Sequence, residues 1–269
     1  MVRHILTGLG IGLAQIGRML GFRRDVTLSN LHRAFPDQLP AFYRKILSHS
    51  YTNLGRVFAE MLYLRYATPR QIRKGIQIRN PDVFDNNARQ GKGVVIVAAH
   101  LANWEWMALA GPLCLGTTFS IVIKNNPVGF TERFLQRMRR RTGNELINSA
   151  DVRIMFRTLY NGGCVALLGD QAAPAGSALV SFLGTSVSAF EGPARLALRT
   201  RSPLLFAKCV HEQGAYTLTF IEVPFEDLTE DTPETVRELT QRHTSLLEAA
   251  IREHPEQWVW QHRRWKNFE

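Results

Sequence analysis

His100 and Glu105 stand five residues apart, where the apolar run Val94-Val95-Ile96-Val97-Ala98-Ala99 gives way to Leu101-Ala102-Asn103-Trp104. An imidazole and a carboxylate so placed can act as a general-base pair. The carboxylate fixes the tautomer and stabilises the imidazolium, while the other ring nitrogen takes a proton from an attacking hydroxyl. The segment carries no nucleophile of its own, so the alcohol belongs to the substrate.

The elements that must position this pair are legible around it. The β-branched run, preceded by Gly91-Lys92-Gly93, predicts a buried strand over residues 94–98. Asn103 suits the cap of a helix beginning at Trp104. His100 then lies at the strand's carboxyl end, where open α/β sheets place their ligand crevice. Further strand-like runs at 119–123, 165–168 and 204–208 alternate with helical stretches at 104–113, 129–141, 152–160 and 192–199. This alternation predicts an α/β fold with a mostly parallel (mixed) central sheet flanked by helices. Residues 216–223 read as a late strand that can pair antiparallel, and 233–253 as a closing helix. Upstream, Phe42, Ile46, Ser50, Leu54, Phe58 and Leu62, with Tyr43, Leu47, Val57 and Met61, mark a long amphipathic helix. The chain is expected to divide into an N-terminal helical, membrane-associating region (1–68) and an α/β catalytic domain (69–269).

Other residues fall on the same expected edge. Asn125 and Asn126 follow a strand directly; their amides either orient substrate oxygens or simply make a turn. Arg137, Arg139, Arg140 and Arg141 form the densest basic cluster, near a helix end closed by Gly143. They either complement the helix dipole or capture a phosphate with guanidinium forks. Asp170 and Gln171 end another strand, and Asp170 positions an arginine, orients acceptor hydroxyls, or is a solvated loop aspartate. Gly192, at a helix start, offers free backbone amides to an oxyanion or phosphate. The seven other histidines lack a carboxylate at comparable spacing within a strand-to-helix turn. No cysteine or histidine cluster has metal-ligand spacing, and no glycine-rich phosphate loop follows a strand, which disfavours metal hydrolases and nucleotide binders. No cofactor is expected.

The formal charge of +10 is unevenly spread. The first 66 residues hold nine lysines and arginines against three acidic residues, whereas Glu222 to Glu238 contains seven acidic residues and only Arg237. A basic amino-terminal portion suits either an anionic partner or an unevenly charged solvated surface. Nucleic acid is disfavoured, because the basic residues fall among aliphatic ones and no recognised binding motif appears. Ile5, Leu9, Leu13, Ile16 and Leu20 recur at helical spacing, flanked by Arg3, Arg23 and Arg24, while Gln15 and Arg18 interrupt the run. This fits a helix lying in or dipping into one leaflet at the cytoplasmic side, the alternative being a helix packed on the domain's own core. Cys114, Cys164 and Cys209 lie in apolar stretches and read as small buried hydrophobes in a reducing compartment.

The motifs, taken in order, resemble those of the bacterial lipid A biosynthesis (late) acyltransferases, a lauroyl- and myristoyl-transferase-like family of the lysophospholipid acyltransferase superfamily. The resemblance runs through Asn30-Leu31 with Ala34-Phe35-Pro36, His100-Leu-Ala-Asn-Trp-Glu105, Lys124-Asn125-Asn126-Pro127 and Arg139-Arg140-Arg141-Thr142-Gly143. It continues through Leu168-Gly169-Asp170-Gln171, Phe182-Leu183-Gly184, Glu191-Gly192-Pro193-Ala194-Arg195-Leu196-Ala197 and the segment from Trp258 to Trp265, covering nearly the whole chain. Glu191 departs from the Thr or Ser that the family tends to carry before Gly-Pro. The resemblance implies acyl transfer from an acyl-carrier-protein or coenzyme A thioester to a hydroxyl of a membrane glycolipid, such as a lipid A precursor, or of a lysolipid. It implies catalysis by His100 and Glu105 and substrate contacts from Asn103, Asn125, Asn126, Asp170 and Gln171. One arginine of the basic cluster, Arg139 or Arg141, is expected to face the site, and Gly192 or Arg139 to support the oxyanion. The location implied is the cytoplasmic face of the bacterial inner membrane, peripheral or monotopic. A lipid esterase or thioesterase with water as acceptor, and a membrane-binding module without activity, are the rival readings.

Overall fold

The computed structural model describes residues 1–124, 129–174 and 176–266. Four helices come first: α1 (Val2–Met19), α2 (Arg24–Ala34), α3 (Pro40–Leu64) and α4 (Pro69–Lys74). There follow β1 (Ile76–Ile78), α5 (Pro81–Ala88), β2 (Val94–Ala98), α6 (Trp104–Leu115), β3 (Phe119–Ile123), α7 (Phe130–Arg139), β4 (Glu145–Asn148) and α8 (Val152–Tyr160). Then come β5 (Cys164–Leu168), β6 (Leu179–Phe182), β7 (Thr185–Ser188), α9 (Gly192–Thr200), β8 (Leu204–Glu212), β9 (Ala215–Glu222) and α10 (Pro233–Glu253). Seven strands form one sheet in the order β1-β9-β8-β2-β5-β3-β4, and β6 with β7 make a separate antiparallel pair. Every neighbouring pair in the large sheet is parallel except β8 with β9. The expected mixed, mostly parallel α/β architecture is therefore the one observed.

The period-2 alternation of the strands divides the core into two layers. Val95, Val97, Val165, Leu204 and Phe206 face one cluster, shared with α2, the amino-terminal half of α3, α9, α10 and the carboxyl-terminal tryptophans. Val94, Ile96, Ala98, Cys164, Leu205 and Ala207 face the other, shared with α4, α5, α6 and the later part of α3. Helix α3 thus helps cover both faces of the sheet and α2 one of them, and β2, buried along its whole length, is the centre of the sandwich.

Several expectations change in three dimensions. In α3 the i, i+4 row drifts around the helix at 100° per residue, so Ile46 and Ser50 are buried while Phe58 and Leu62 emerge to solvent. Cys164 and Cys209 are buried free thiols, but Cys114, near the end of α6, is exposed. The three- and four-residue strands β1 and β4 and the β6–β7 pair carry too short a pattern to be recognised from the sequence alone. Helix α1 packs along α3 through its glycine side and turns Ile5, Leu9, Leu13, Ile16 and Leu20 outward. Among the described residues no single helix is long and apolar enough to cross a membrane, although α1 and α2, bent by 87° at their junction, pass that test together.

Candidate active site

The site begins with the exit from β2. After Ala98 the chain passes through His100 and Leu101 to Ala102, which takes a left-handed φ of 47°. Asn103 then accepts the Trp106 amide on its Oδ1 at 2.9 Å and caps α6. The carboxyl-terminal segment fastens this turn from outside. Ala102 N–H donates to Gln257 O at 2.9 Å, Val259 N–H donates to His100 O at 3.2 Å, and Leu101 bridges to Trp258. A reverse turn in a buried left-handed conformation is thus held by backbone bonds from more than 150 residues away in sequence.

The carboxylate bonded to His100 is Asp170, and the expected pairing with Glu105 is corrected here. His100 Nδ1 donates to Asp170 Oδ1 at 2.8 Å, and the His100 backbone N–H donates to Asp170 Oδ2 at 3.0 Å. The Trp258 indole N–H adds a third bond to Asp170 Oδ2 at 2.9 Å. Burial alone pushes the Asp170 carboxyl up, but the His100 imidazole, the Trp258 indole and the His100 amide outweigh it and hold the acid at about 2. With Nδ1 committed as donor, Nε2 is the basic nitrogen; Gln171 Nε2 lies 3.4 Å from it. The reason is register: Ala98 pairs with Leu168 across the parallel β2–β5 ladder, so two residues further on, His100 and Asp170 emerge side by side.

Glu105 instead points to Arg139. Arg139 Nε donates to Glu105 Oε2 at 2.9 Å, and its Nη2 donates to Oε1, a forked ion pair at the cavity wall. Burial alone would lower the Arg139 pKa, but the bonds and charge of Glu105 reverse the sign and raise it, so the guanidinium stays charged. Trp104 touches both halves of the site: its ring packs edge-on to His100 at 4.7 Å between centroids, and its Nε1 donates to Glu105 at 3.2 Å. The two pairs, His100–Asp170 and Glu105–Arg139, stand on either side of one indole.

A cavity of about 670 Å³ opens beside them, and His100, Trp104, Glu105, Arg139, Gln171 and Gly192 all contribute to its wall. That size lies within the range of sites for drug-sized ligands, roughly 300–1,000 Å³. On the α6 face it is lined by Ile96, Ala98, Met107, Ile121 and Phe220; on the α8–α9 face by Val152, Phe156, Phe190 and Leu196. It reaches both faces where the β3–β5 ladder, which pairs only Phe119–Ile121 with Cys164–Ala166, comes to an end.

Other sequence candidates are sorted by this geometry. Arg141 points away, donating to Leu64 O and Ala67 O at 2.6 and 3.1 Å, which ties the end of α7 to α3; it is a structural arginine. Asn103 is fully buried, and both ends of its amide are used inside the protein, so it does not contact substrate. Gly192 opens α9 on the cavity wall, while Glu191 before it bonds Ala178 N–H and Arg195. Asn125 and Asn126 lie outside the described residues. Among the described residues no group of three or more histidine, cysteine or acidic side chains could hold a metal ion. Trp258 was legible in the sequence only as part of a tryptophan-rich ending; its bond to Asp170 depends on a long-range bridge that local pattern does not encode.

An activatable histidine at the carboxyl edge of a parallel sheet, a charged arginine and an apolar cavity define an enzyme that handles a hydrocarbon-bearing substrate. A family model for bacterial lipid A biosynthesis acyltransferases matches residues 1–267. The lipid A biosynthesis palmitoleoyltransferase of Escherichia coli (strain K12) is 23% identical over 267 residues, covering 97% of this chain and 85% of that protein. The lipid A biosynthesis acyltransferase of Shigella flexneri aligns with the same identity and coverage. The chain belongs to the bacterial lipid A biosynthesis acyltransferase family and is an O-acyltransferase, with an acyl donor and a lipid acceptor.

Proposed function

We propose that this protein moves a fatty acyl chain from an acyl-carrier-protein or coenzyme A thioester to a hydroxyl of a membrane glycolipid of the lipid A precursor type. The observation that carries the reading is the His100–Asp170 pair at the mouth of the apolar cavity. His100 Nε2 takes the proton of the acceptor hydroxyl as its oxygen attacks the thioester carbonyl carbon. Asp170, ionised and buried, stabilises the imidazolium that forms. The new C–O bond replaces the C–S bond, and the proton passes from the imidazolium to the departing thiolate sulfur. Arg139, kept charged and oriented by Glu105, lends positive charge to the tetrahedral oxyanion. Glu105 thus acts through the arginine in place of the histidine. The hydrocarbon tail occupies the face of the cavity between the sheet and α6, where Ala98, Ala166 and Ala207 leave space above the strands.

The acceptor is a lipid, and α1 offers a route to it. Its outward row of Ile5, Leu9, Leu13, Ile16 and Leu20, with Arg18, Arg23 and Arg24 at its far end, suits a helix resting in the headgroup boundary of an anionic leaflet. We place the enzyme accordingly on the cytoplasmic face of the bacterial inner membrane as a peripheral or monotopic protein. Incubation of the purified protein with acyl carrier thioester and a lipid A precursor, followed by mass spectrometry, tests the reading. A new ester is expected with the wild type and is lost in His100→Ala. Free fatty acid released regardless of acceptor would overturn it in favour of a hydrolase, and acylation of a lysophospholipid alone would move the acceptor.

A further inference from the structure

Glu60 is a buried acid in the middle of α3 that the chemistry above does not use; its side chain is only 2% exposed. Oε2 accepts from Asn103 Nδ2 at 2.9 Å and from the Tyr216 hydroxyl at 2.5 Å. Oε1 accepts from Arg3, at 2.9 Å from Nε and 2.8 Å from Nη2. The same guanidinium lies 4.2 Å above the Trp106 ring. Arg3 is therefore the cation bonded directly to a carboxylate buried under the active-site helix. Asn103, the third member, caps that helix two residues before Glu105 and follows His100 by three.

Arg3 reaches this position only while α1 is seated, and α1 has no buried residue of its own. Its seat is a close backbone approach: a Cβ on Gly10 would lie 2.5 Å from Gly55 O, and one on Gly55 2.4 Å from Gly10 O. Gln15 Nε2 adds bonds to Ser48 O at 2.8 Å and Thr52 Oγ1 at 2.9 Å. A buried carboxylate deprived of its partner is strongly unfavourable, so withdrawal of α1 leaves Glu60 to recruit water or another donor in its place. Either change alters the acceptor for Asn103 and loosens the first turn of α6.

We infer that Arg3 is a positioning residue that couples the seating of the amino-terminal helix to the geometry of the active site, so that transfer proceeds at full rate only with α1 docked on α3. The inference rests on the reading that the reaction centre lies at His100 and the start of α6. It makes α1 a sensor as well as an anchor: whatever lipid environment favours the seated helix also favours the competent enzyme.

The test compares the wild-type protein, Arg3→Met, Gly10→Leu and the double variant Arg3→Met/Glu60→Gln. Three readouts apply: kcat and KM in mixed micelles, binding to anionic phospholipid vesicles, and hydrogen exchange of the first turn of α6. Arg3→Met is expected to lower kcat at least ten-fold with KM changed less than two-fold, and to speed exchange at the Trp106 amide by a similar factor. Vesicle binding should be retained, because the outward apolar row is untouched. Gly10→Leu should reproduce the exchange and kcat effects. The double variant should recover most of both, since a neutral glutamine needs no cation yet still accepts from Asn103, a rescue that loss of Arg3 packing over the Trp106 ring alone does not predict. Should Arg3→Met fail to fold, Arg3→Lys, which keeps the charge without the fork, is expected to show a several-fold kcat loss with faster exchange. Unchanged exchange in Arg3→Met or in this substitute overturns the inference, as does a kcat loss that follows vesicle binding alone. Because exchange needs no turnover, absence of ester product from the wild type would count against the proposed reaction and leave the coupling measurable.

Discussion

At the scale of single residues, the separation of two acid roles is the main consequence of the geometry. Asp170 is bonded to the imidazole, and Glu105 to the guanidinium, so their substitutions should fail differently. Asp170→Asn keeps bonds to Trp258 and the His100 amide but removes the charge facing the imidazolium. A kcat loss of about 10²–10⁴ with the fold retained is expected, in line with the contribution of general-base catalysis. Steady-state kinetics and circular dichroism check both halves. Glu105→Ala strands a buried arginine and should reduce stability by about 3–5 kcal/mol, read as a lower midpoint in chemical denaturation. Glu105→Gln, which still accepts from Arg139, should be far milder in stability while lowering kcat. Equal behaviour of Asp170→Asn and Glu105→Gln in both assays would contradict the separation of roles.

At the scale of elements, the β2–α6 turn and the inner face of α6 set where the site sits and how deep the cavity runs. Ala102, buried with φ 47°, occupies a conformation that costs an L-residue roughly 1–2 kcal/mol and a β-branched one more. Ala102→Val should therefore move His100 and abolish most activity, whereas Ala102→Gly should remain active; parallel assays of the two variants decide. Gly111 presents a different constraint: a Cβ there would lie 2.5 Å from the Phe119 ring, which lines the cavity. Gly111→Ala should push that ring inward and shift donor preference toward shorter chains. Competition between thioesters of graded length, analysed by mass spectrometry, measures the shift.

At the scale of the whole molecule, buried histidines set the response to acid. Burial pushes His243 down to about 4, and burial together with Arg56 and Arg3 does the same to His211. Both groups bind protons more weakly in the folded state, so between about pH 6.5 and pH 4 the unfolded chain takes up the extra protons. Stability should be full above pH 6.5 and fall through that window, by up to roughly 3 kcal/mol from His243 alone. Asp170 works in the opposite range: its depressed pKa adds stability that persists above about pH 4 and is lost only as pH approaches 2. Thermal melts from pH 7.5 to 4.5 should show the decline, and His243→Leu should flatten it.

Local chemistry was enough to place His100 just beyond the carboxyl end of a buried strand, and to find that strand, the capping asparagine and the βα alternation of a mostly parallel sheet, because strand period, capping and turn preference act over a few residues. The ordered motifs from Asn30 to Trp265 likewise marked the family in the linear chain. Partner choice was not local. Glu105, near in sequence, turned to Arg139, and Asp170, seventy residues away, met His100 because β5 inserts beside β2 in register. Strand order, the buried Arg3–Glu60–Asn103 link and the seating of the carboxyl-terminal tryptophans depend on which surfaces bury one another. That is a property of the packed molecule, since many strand orders satisfy the same local pattern and the observed one brings each of these buried charges to its partner.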